Sequence, residues 1–351
     1  MTIKPGAFRF NTDSMKLEIF RGSANYNGTA SMAGIGTLAA GQWEEIQATS
    51  PEVQTGGTRG VIGGGNNPSY LADIEFVTLS TTGNATDYGD LTDARASLTA
   101  VASRTRAVFA CGYSPGDSNT IDFITIASGG TAQDFGDNTA SGNDGKRYSP
   151  RGLSNSTRGL IGGGQSVPGG TMYTDITYIT IAQTGNSVDF GDMISGGSDG
   201  GACANSTRGI FAGGSPGHNV IDFVTINTLG NAADFGDLIG SDKRSHGGGA
   251  SATRGIFGGF GPTPSNTDID YITIPTLGNA QDFGNLTTGT KHAAACSSVN
   301  RCIWSGGYRG ASKSVTIDYV QIQTLGDAID FGDLTDDPHY HAACSNGHGG
   351  L

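Results

Sequence analysis

Thr253-Arg254-Gly255-Ile256-Phe257-Gly258-Gly259, followed by Ile269-Asp270-Tyr271-Ile272-Thr273-Ile274, Leu277-Gly278-Asn279-Ala280 and Asp282-Phe283-Gly284-Asn285, is one copy of a unit that recurs along the chain. The arginines that open the copies are Arg59, Arg106, Arg158, Arg208, Arg254 and Arg301, spaced 47, 52, 50, 46 and 47 residues apart. Self-similarity at a period of roughly 45–50 residues, built from short strands and glycine turns, is the signature of propeller blades. The sequence therefore predicts an all-β chain: a six-bladed β-propeller over residues 51–351, preceded by a small β-hairpin module in residues 1–50.

Each copy holds four strands. Strand a is short and small-sided, as in Ala293-Ala294-Ala295-Cys296-Ser297, which suits crowding at an axis. Strand b follows the arginine turn (Gly209–Gly213). Strand c, Ile221-Asp222-Phe223-Val224-Thr225-Ile226, is apolar on both faces, as a sheet covered on both sides requires. Strand d is Ala233–Leu238. The last copy is followed by His341-Ala342-Ala343-Cys344-Ser345-Asn346, a strand a with no strand b after it. The first copy has no good strand a of its own. Residues 341–347 are therefore expected to supply the inner strand of the first blade, leaving no open edge.

Composition narrows the function. The 351 residues include 59 glycines, with 20 basic and 32 acidic side chains and a net charge of −12. No basic stripe exists to neutralise phosphates, which argues against nucleic acid as a partner. No apolar run has the ~20 residues that a membrane span needs, and the N-terminus lacks an apolar signal segment, so neither membrane insertion nor secretion by that route is expected. Five cysteines without metal-ligand spacing read as small buried thiols; Cys203, Cys296 and Cys344 share one place in the repeat.

Alternating strand direction puts the a–b and c–d turns on one face and the b–c and d–a loops on the other. The first face repeats Ser-Thr-Arg-Gly and Thr-Leu-Gly-Asn-Ala with few changes. The six arginines, with Asp90, Asp137, Asp192, Asp237 and Asp333, are read as structural latches, because catalysis needs no identical group in every blade. The second face varies throughout, which is how a rigid scaffold carries a recognition surface. Its loops hold Arg95, Lys146, Arg147, Arg151, Lys243, Arg244, Lys291, Arg309 and Lys313. Asp117, Asp144, Asp199, Asp242, Asp336 and Asp337 balance them, among Tyr70, Tyr113, Tyr148, Tyr173, Tyr308 and Tyr340. Tyrosine offers rigid amphipathic contact area at low entropy cost. The ligand-binding candidates are Tyr113, Lys146, Arg147, Tyr148, Tyr173, His218, Tyr308, Arg309 and Tyr340.

Chemistry-bearing arrangements are not evident. The six histidines are scattered, and no Gly-x-Ser-x-Gly elbow or phosphate loop occurs. His339 and His341 beside Asp336 and Asp337 read as a polar loop entering the closing strand, not as a metal site. No catalytic residue, metal or cofactor is assigned, and the chain is not read as an enzyme.

The Gly6-x-x-Arg9-Phe10-Asn11-Thr12-Asp13-x-x-x-Leu17-Glu18 hairpin with Trp43-Glu44-Glu45-Ile46 resembles a module of tailed-bacteriophage fibre and virion structural proteins. The repeats resemble Kelch-like propeller repeats of marine and cyanobacterial phage proteins, with the Phe or Tyr of Asp-Phe-Gly-Asp standing where Kelch blades carry Trp. The resemblance implies a virion structural protein, a tail fibre, spike or surface adhesin assembled in the host cytoplasm. Residues 1–50 would dock on other virion proteins or self-associate into a homo-oligomer, and the variable loop face would bind host surface glycan or protein. The alternative is a non-adhesive capsid or tail decoration or connector; a glycan-degrading enzyme is a third class.

Overall fold

The computed structural model describes residues 58–351, apart from 168–169 and 262–265, together with the backbone of three strands nearer the N-terminus. The chain divides into two compact units, Met1–Val53 and Gln54–Leu351. In the first unit Phe8–Asn11, Lys16–Arg21 and Gln42–Glu45 form a three-stranded antiparallel sheet, with Asn11 opposite Lys16 and Phe20 opposite Trp43. Residues 12–15 and 22–41, between these strands, lie outside the described residues.

The second unit is all-β and propeller-like, with six four-stranded antiparallel sheets among its described residues. Five are sequential: Thr99–Asp137, Arg151–Asp192, Gly201–Asp237, Gly247–Asn285 and Ala294–Asp333 each supply strands a to d of one sheet. The sixth joins Arg59–Gly63, Asp73–Thr78 and Thr86–Asp90 to the C-terminal strand Ala342–Ser345, with Ala342 opposite Gly63 and Ser345 opposite Gly60. For brevity this is sheet 1, and the others are sheets 2 to 6 in chain order. The pairing is the one that the stray C-terminal copy of strand a implies.

Strand a of each sheet packs against strand a of the next, in the cyclic order of sheets 1 to 6 and back to 1. Small side chains at this radius permit the approach. Glycine widens the clearance at several points: a Cβ on Gly255 would lie 2.8 Å from the Cys203 sulfur of the neighbouring sheet, which would have to shift. Farther out, β-branched and aromatic residues of strands b, c and d fill the wedges, as where Ile256, Phe283 and Trp304 pack with Val320 and Ile322. All five cysteines are buried free thiols. Burial pushes Cys111 and Cys296 up to about 12.

Two sets of hydrogen bonds repeat from sheet to sheet on the constant side. At the rim, the amide of the c–d turn glycine donates to the Phe or Tyr carbonyl of the preceding strand d at 2.7–2.9 Å. Gly130 to Tyr88 is one of these contacts, and Gly83 to Phe331 is the one between sheets 1 and 6. Nearby, each repeat arginine donates from Nη1 to a carbonyl just past strand c of the next sheet, from Arg59 to Ile126 (2.7 Å) round to Arg301 to Leu79 (3.1 Å). Each guanidinium also lies over the aromatic ring of its own strand c, at 4.5 Å for Arg106 and Phe123 and 5.0 Å for Arg208 and Phe223.

The repeated acids work differently from the expectation. At Asp137, Asp192, Asp237 and Asp333 the backbone amide, not the carboxylate, forms the latch: Asp237 N–H donates to Asn279 Oδ1 at 3.1 Å and Asp333 N–H to Asn84 Oδ1 at 3.1 Å. This explains why Asn285 serves equally in the fifth copy, its amide donating to Asp327 at 2.9 Å. The carboxylate that latches is the one inside strand c. Asp122, Asp222, Asp270 and Asp318 accept amides of Thr92, Ile194, Ile239 and Thr287 from the preceding sheet, and Glu75 takes this place for Thr335.

Candidate functional site

Two residues before every strand a, the d–a loop turns through left-handed backbone: Ser97 (φ 54), Ser149 (φ 52), Asp199 (φ 53), Ser245 (φ 62), His292 (φ 56) and Tyr340 (φ 58). L-residues avoid this region at a cost of roughly 1–2 kcal/mol each. The compensation is visible: each amide donates to the carbonyl of its counterpart in the preceding sheet. Ser149 donates to Ser97, Asp199 to Ser149, Ser245 to Asp199, His292 to Ser245, Tyr340 to His292 and Ser97 to Tyr340, at 2.5–3.4 Å. These six residues border a depression of about 90 Å³ whose floor carries His246 and His341. Below it lies a channel of about 160 Å³ walled by strand a of all six sheets.

The C-terminal tail bridges the far end of that channel. Gly349 N–H donates to Ala250 O at 2.9 Å, and the His348 ring nitrogen lies 3.1 Å from Ala102 O and 3.2 Å from Ser154 Oγ. A ligand entering at the depression therefore meets a blocked channel.

Glycine tolerates positive φ without cost, and this chain uses it so at most such positions. At the six mouth positions it places three hydroxyls, a carboxylate, an imidazole and a phenol instead. Their electrostatics are coupled. Burial raises the Asp199 carboxyl, against a hydrogen bond from Ser149 and the charges of Arg244 and Arg151. Burial lowers His292 to about 3, helped by Lys291, His339 and Arg244. Burial pushes the Tyr340 phenol up to about 12, and the Asp199 charge adds to that shift. The same carboxylate acts on Tyr148, after burial itself.

Rings gather along one side. His292 and Tyr340 are 4.1 Å apart between centroids, His339 and Tyr340 4.9 Å, and Tyr308 and His339 4.8 Å. Tyr308 is held there because the b–c loop of sheet 6 makes its own small ribbon: Tyr308–Arg309 pairs with Thr290–Lys291 and with Ser312–Lys313. On the other side Tyr70, Tyr113 and Tyr148 run edge to face at 5.8 and 6.1 Å.

The ligand-binding candidates thus separate. Tyr113, Tyr148, Tyr308 and Tyr340 belong to this rim. Lys146 is exposed on its loop. Arg147, expected on the ligand surface, is wholly buried: it forks onto Asp175 at 3.1 and 3.2 Å and donates to Gly163 O, with Tyr173 stacked over it at 4.6 Å. Arg309 is likewise occupied, 2.6 Å from Asp318, and its side chain is 7 % exposed. These cations latch strand c, so Arg147, Arg309 and the ring of Tyr173 are committed to structure. Arg95 with Asp122 and Lys243 with Asp270 do the same in other sheets. His218 sits half-buried on its b–c loop, its imidazole lowered by burial and by Arg151.

Asp199, His292 and the three mouth serines went unrecognised as binding candidates in the sequence. The signal was positional: 97, 149, 199, 245, 292 and 340 follow the repeat period but carry dissimilar side chains. Among the described residues no group of three or more His, Cys, Asp or Glu side chains is arranged to hold a metal ion, and no helix is long and apolar enough to cross a membrane. No protein-family model matches the chain, and no curated protein is significantly similar to it.

Proposed function

We propose that this chain is a phage virion structural protein. In this reading residues 1–50 attach it to the particle, and the six sheets are the blades of a closed six-bladed propeller that carries a host-binding mouth. Closure is supported by the cyclic packing of the inner strands and by the hydrogen bonds that pass from sheet 6 to sheet 1 at the axis, at the arginines and at the rim. The adhesin role rests on one observation: six equivalent mouth positions share a backbone conformation and a hydrogen bond yet hold dissimilar side chains. The opposite face repeats its side chains at equivalent positions. A surface whose geometry is fixed while its chemistry varies is suited to recognition of host glycan or protein.

Labelled full-length protein added to candidate host cells, before and after enzymatic stripping of surface glycan, tests this. Saturable binding that stripping abolishes is expected for a glycan receptor, and binding that survives stripping but not protease for a protein receptor. Binding to no susceptible host would sink the adhesin role. The decoration or connector reading has its own support: Leu229, Leu277 and Leu325 stand 57–58 % exposed at equivalent c–d turns. That arc suits contact with another virion protein. Particles lacking the chain that adsorb normally but assemble poorly would favour it.

A further inference from the structure

We propose that the axial mouth binds one uncharged sugar ring, Asp199 accepting hydrogen bonds from adjacent hydroxyls while Tyr340 and His292, packed ring on ring, line the side that meets its C–H surface. This deepens the adhesin reading and rests on it.

Four features lead there. The depression, about 90 Å³, takes the hydroxyl-bearing edge of one ring and leaves the rest of a chain outside. Its lining combines the Asp199 carboxylate with Ser97, Ser149 and Ser245 and with two aromatic rings 4.1 Å apart. A carboxylate in a half-enclosed site is a strong acceptor for paired hydroxyls. Tyrosine rings bury apolar area while keeping a polar edge, which matches the two-sided character of a sugar.

The charges decide between ligand classes. Asp199 would repel an acidic sugar or a phosphate. Arg244, itself paired with Asp242 at 2.9 Å, acts on both Asp199 and His292, and Lys291 acts on His292, so the rim carries both signs and a ligand of either sign meets a like charge. A neutral polyhydroxyl ligand meets neither penalty. His292 and His341 are both neutral near pH 7, since burial holds each down to about 3, so they add no net charge. The blocked far end of the channel rules out a threaded polymer.

The test uses full-length protein and small probes: the methyl glycosides of glucose, galactose and mannose, with sialic acid and choline as charged comparisons. Binding is followed by ligand-observed NMR. The expected result is that at least one neutral glycoside binds while sialic acid and choline do not. Asp199→Asn should weaken that binding by about tenfold or more, the usual scale for losing a charged hydrogen-bond partner. Tyr340→Phe, which keeps the ring, should bind within about twofold of the parent, and Tyr340→Ala should lose binding with the stacking surface. Thermal unfolding of each variant identifies any that fail to fold; Gln183→Ala, in an exposed c–d turn on the opposite face, controls for surface change. Preferred binding of sialic acid or choline, or undiminished binding by folded Asp199→Asn, overturns the proposal. The two levels separate on cells: full-length protein that adheres while Asp199→Asn adheres equally well leaves the adhesin standing and removes the mouth as its site.

Discussion

The two faces of the sheet assembly solve the same geometric problem with opposite chemistry. On the a–b and c–d face every junction is closed by the same groups, an arginine to a carbonyl and a glycine amide to a carbonyl. On the mouth face the carboxylates of strand c also bridge the sheets, but the innermost ring of contacts is closed by backbone alone, one left-handed residue donating to the next. Backbone closure leaves the side chain free to differ, so six positions carry four kinds of side chain at no cost to the pattern. Side-chain closure cannot do this: changing the arginine removes the contact. A scaffold that must vary its surface does best to hold that surface by its main chain.

The largest way to stress this difference is acid, because the mouth side holds the buried histidines. His246 and His341 are each 6 % exposed, and burial holds both near 3. Their folded values lie below the unfolded ~6.5, so their contribution is complete above about pH 6.5 and is lost as pH falls toward about 3. Each removes about 1.4 kcal/mol per pH unit in that window, so the pair removes about 5 kcal/mol by pH 4.5. The raised carboxyls of Glu75, Asp222 and Asp270 work the other way, gaining protons in the folded state as pH falls. Chemical denaturation between pH 7.5 and 4.5 should show a falling midpoint that begins near pH 6; a flat profile would refute the histidine account.

Next in size is the buried fork of Arg95 onto Asp122, with side chains 1 % and 0 % exposed. Asp122→Ala strands a guanidinium without its partner and should cost about 3–5 kcal/mol. Double replacement with apolar residues should recover much of that loss. Calorimetric Tm values of the single and double variants decide, and equal losses would mean that the carboxylate matters only as the latch for Thr92.

Arg208→Ala on the constant face removes one charge-assisted bond to Ile274 O (2.8 Å) and one stack on Phe223. About 1–2 kcal/mol should be lost, because the group is partly exposed. The counterpart on the mouth face is Ser97→Gly. It keeps the backbone hydrogen bonds and relieves left-handed strain, so the protein should gain up to about 1 kcal/mol. A loss of stability in urea titration would show that the serine hydroxyl is itself a structural contact.

What the sequence disclosed follows the same division. The arginines repeat as residues, so their positions and the sheet boundaries could be read directly, and the spare Ala-Ala-Cys-Ser announced its pairing with Arg59–Gly63. Arg147 and Lys243 could not be placed correctly. A cation in a glycine-rich loop reads as solvent-exposed until its carboxylate, 28 residues away for Asp175, is brought beside it. The asparagine latches were hidden by the acids they serve, since Asn279 reads as an ordinary turn residue. The mouth was hardest, because its regularity is a φ angle and has no letter.

The strand at Ala342–Ser345 has a consequence in time. Arg59 N–H ends up 2.7 Å from Asn346 Oδ1, 287 residues further along. At ~5–20 residues per second, a ribosome takes roughly a quarter of a minute to a minute between the two. Throughout that interval strand Arg59–Gly63 lacks the partner it ends with, while another inner strand with the same Ala-Ala-Cys-Ser, Ala294–Ser297, has already emerged. On a crowded polysome the corresponding strand of a neighbouring copy fits equally well. The clasp that completes one molecule is therefore also a route to exchanged dimers, favoured by rapid synthesis and suppressed by dilution.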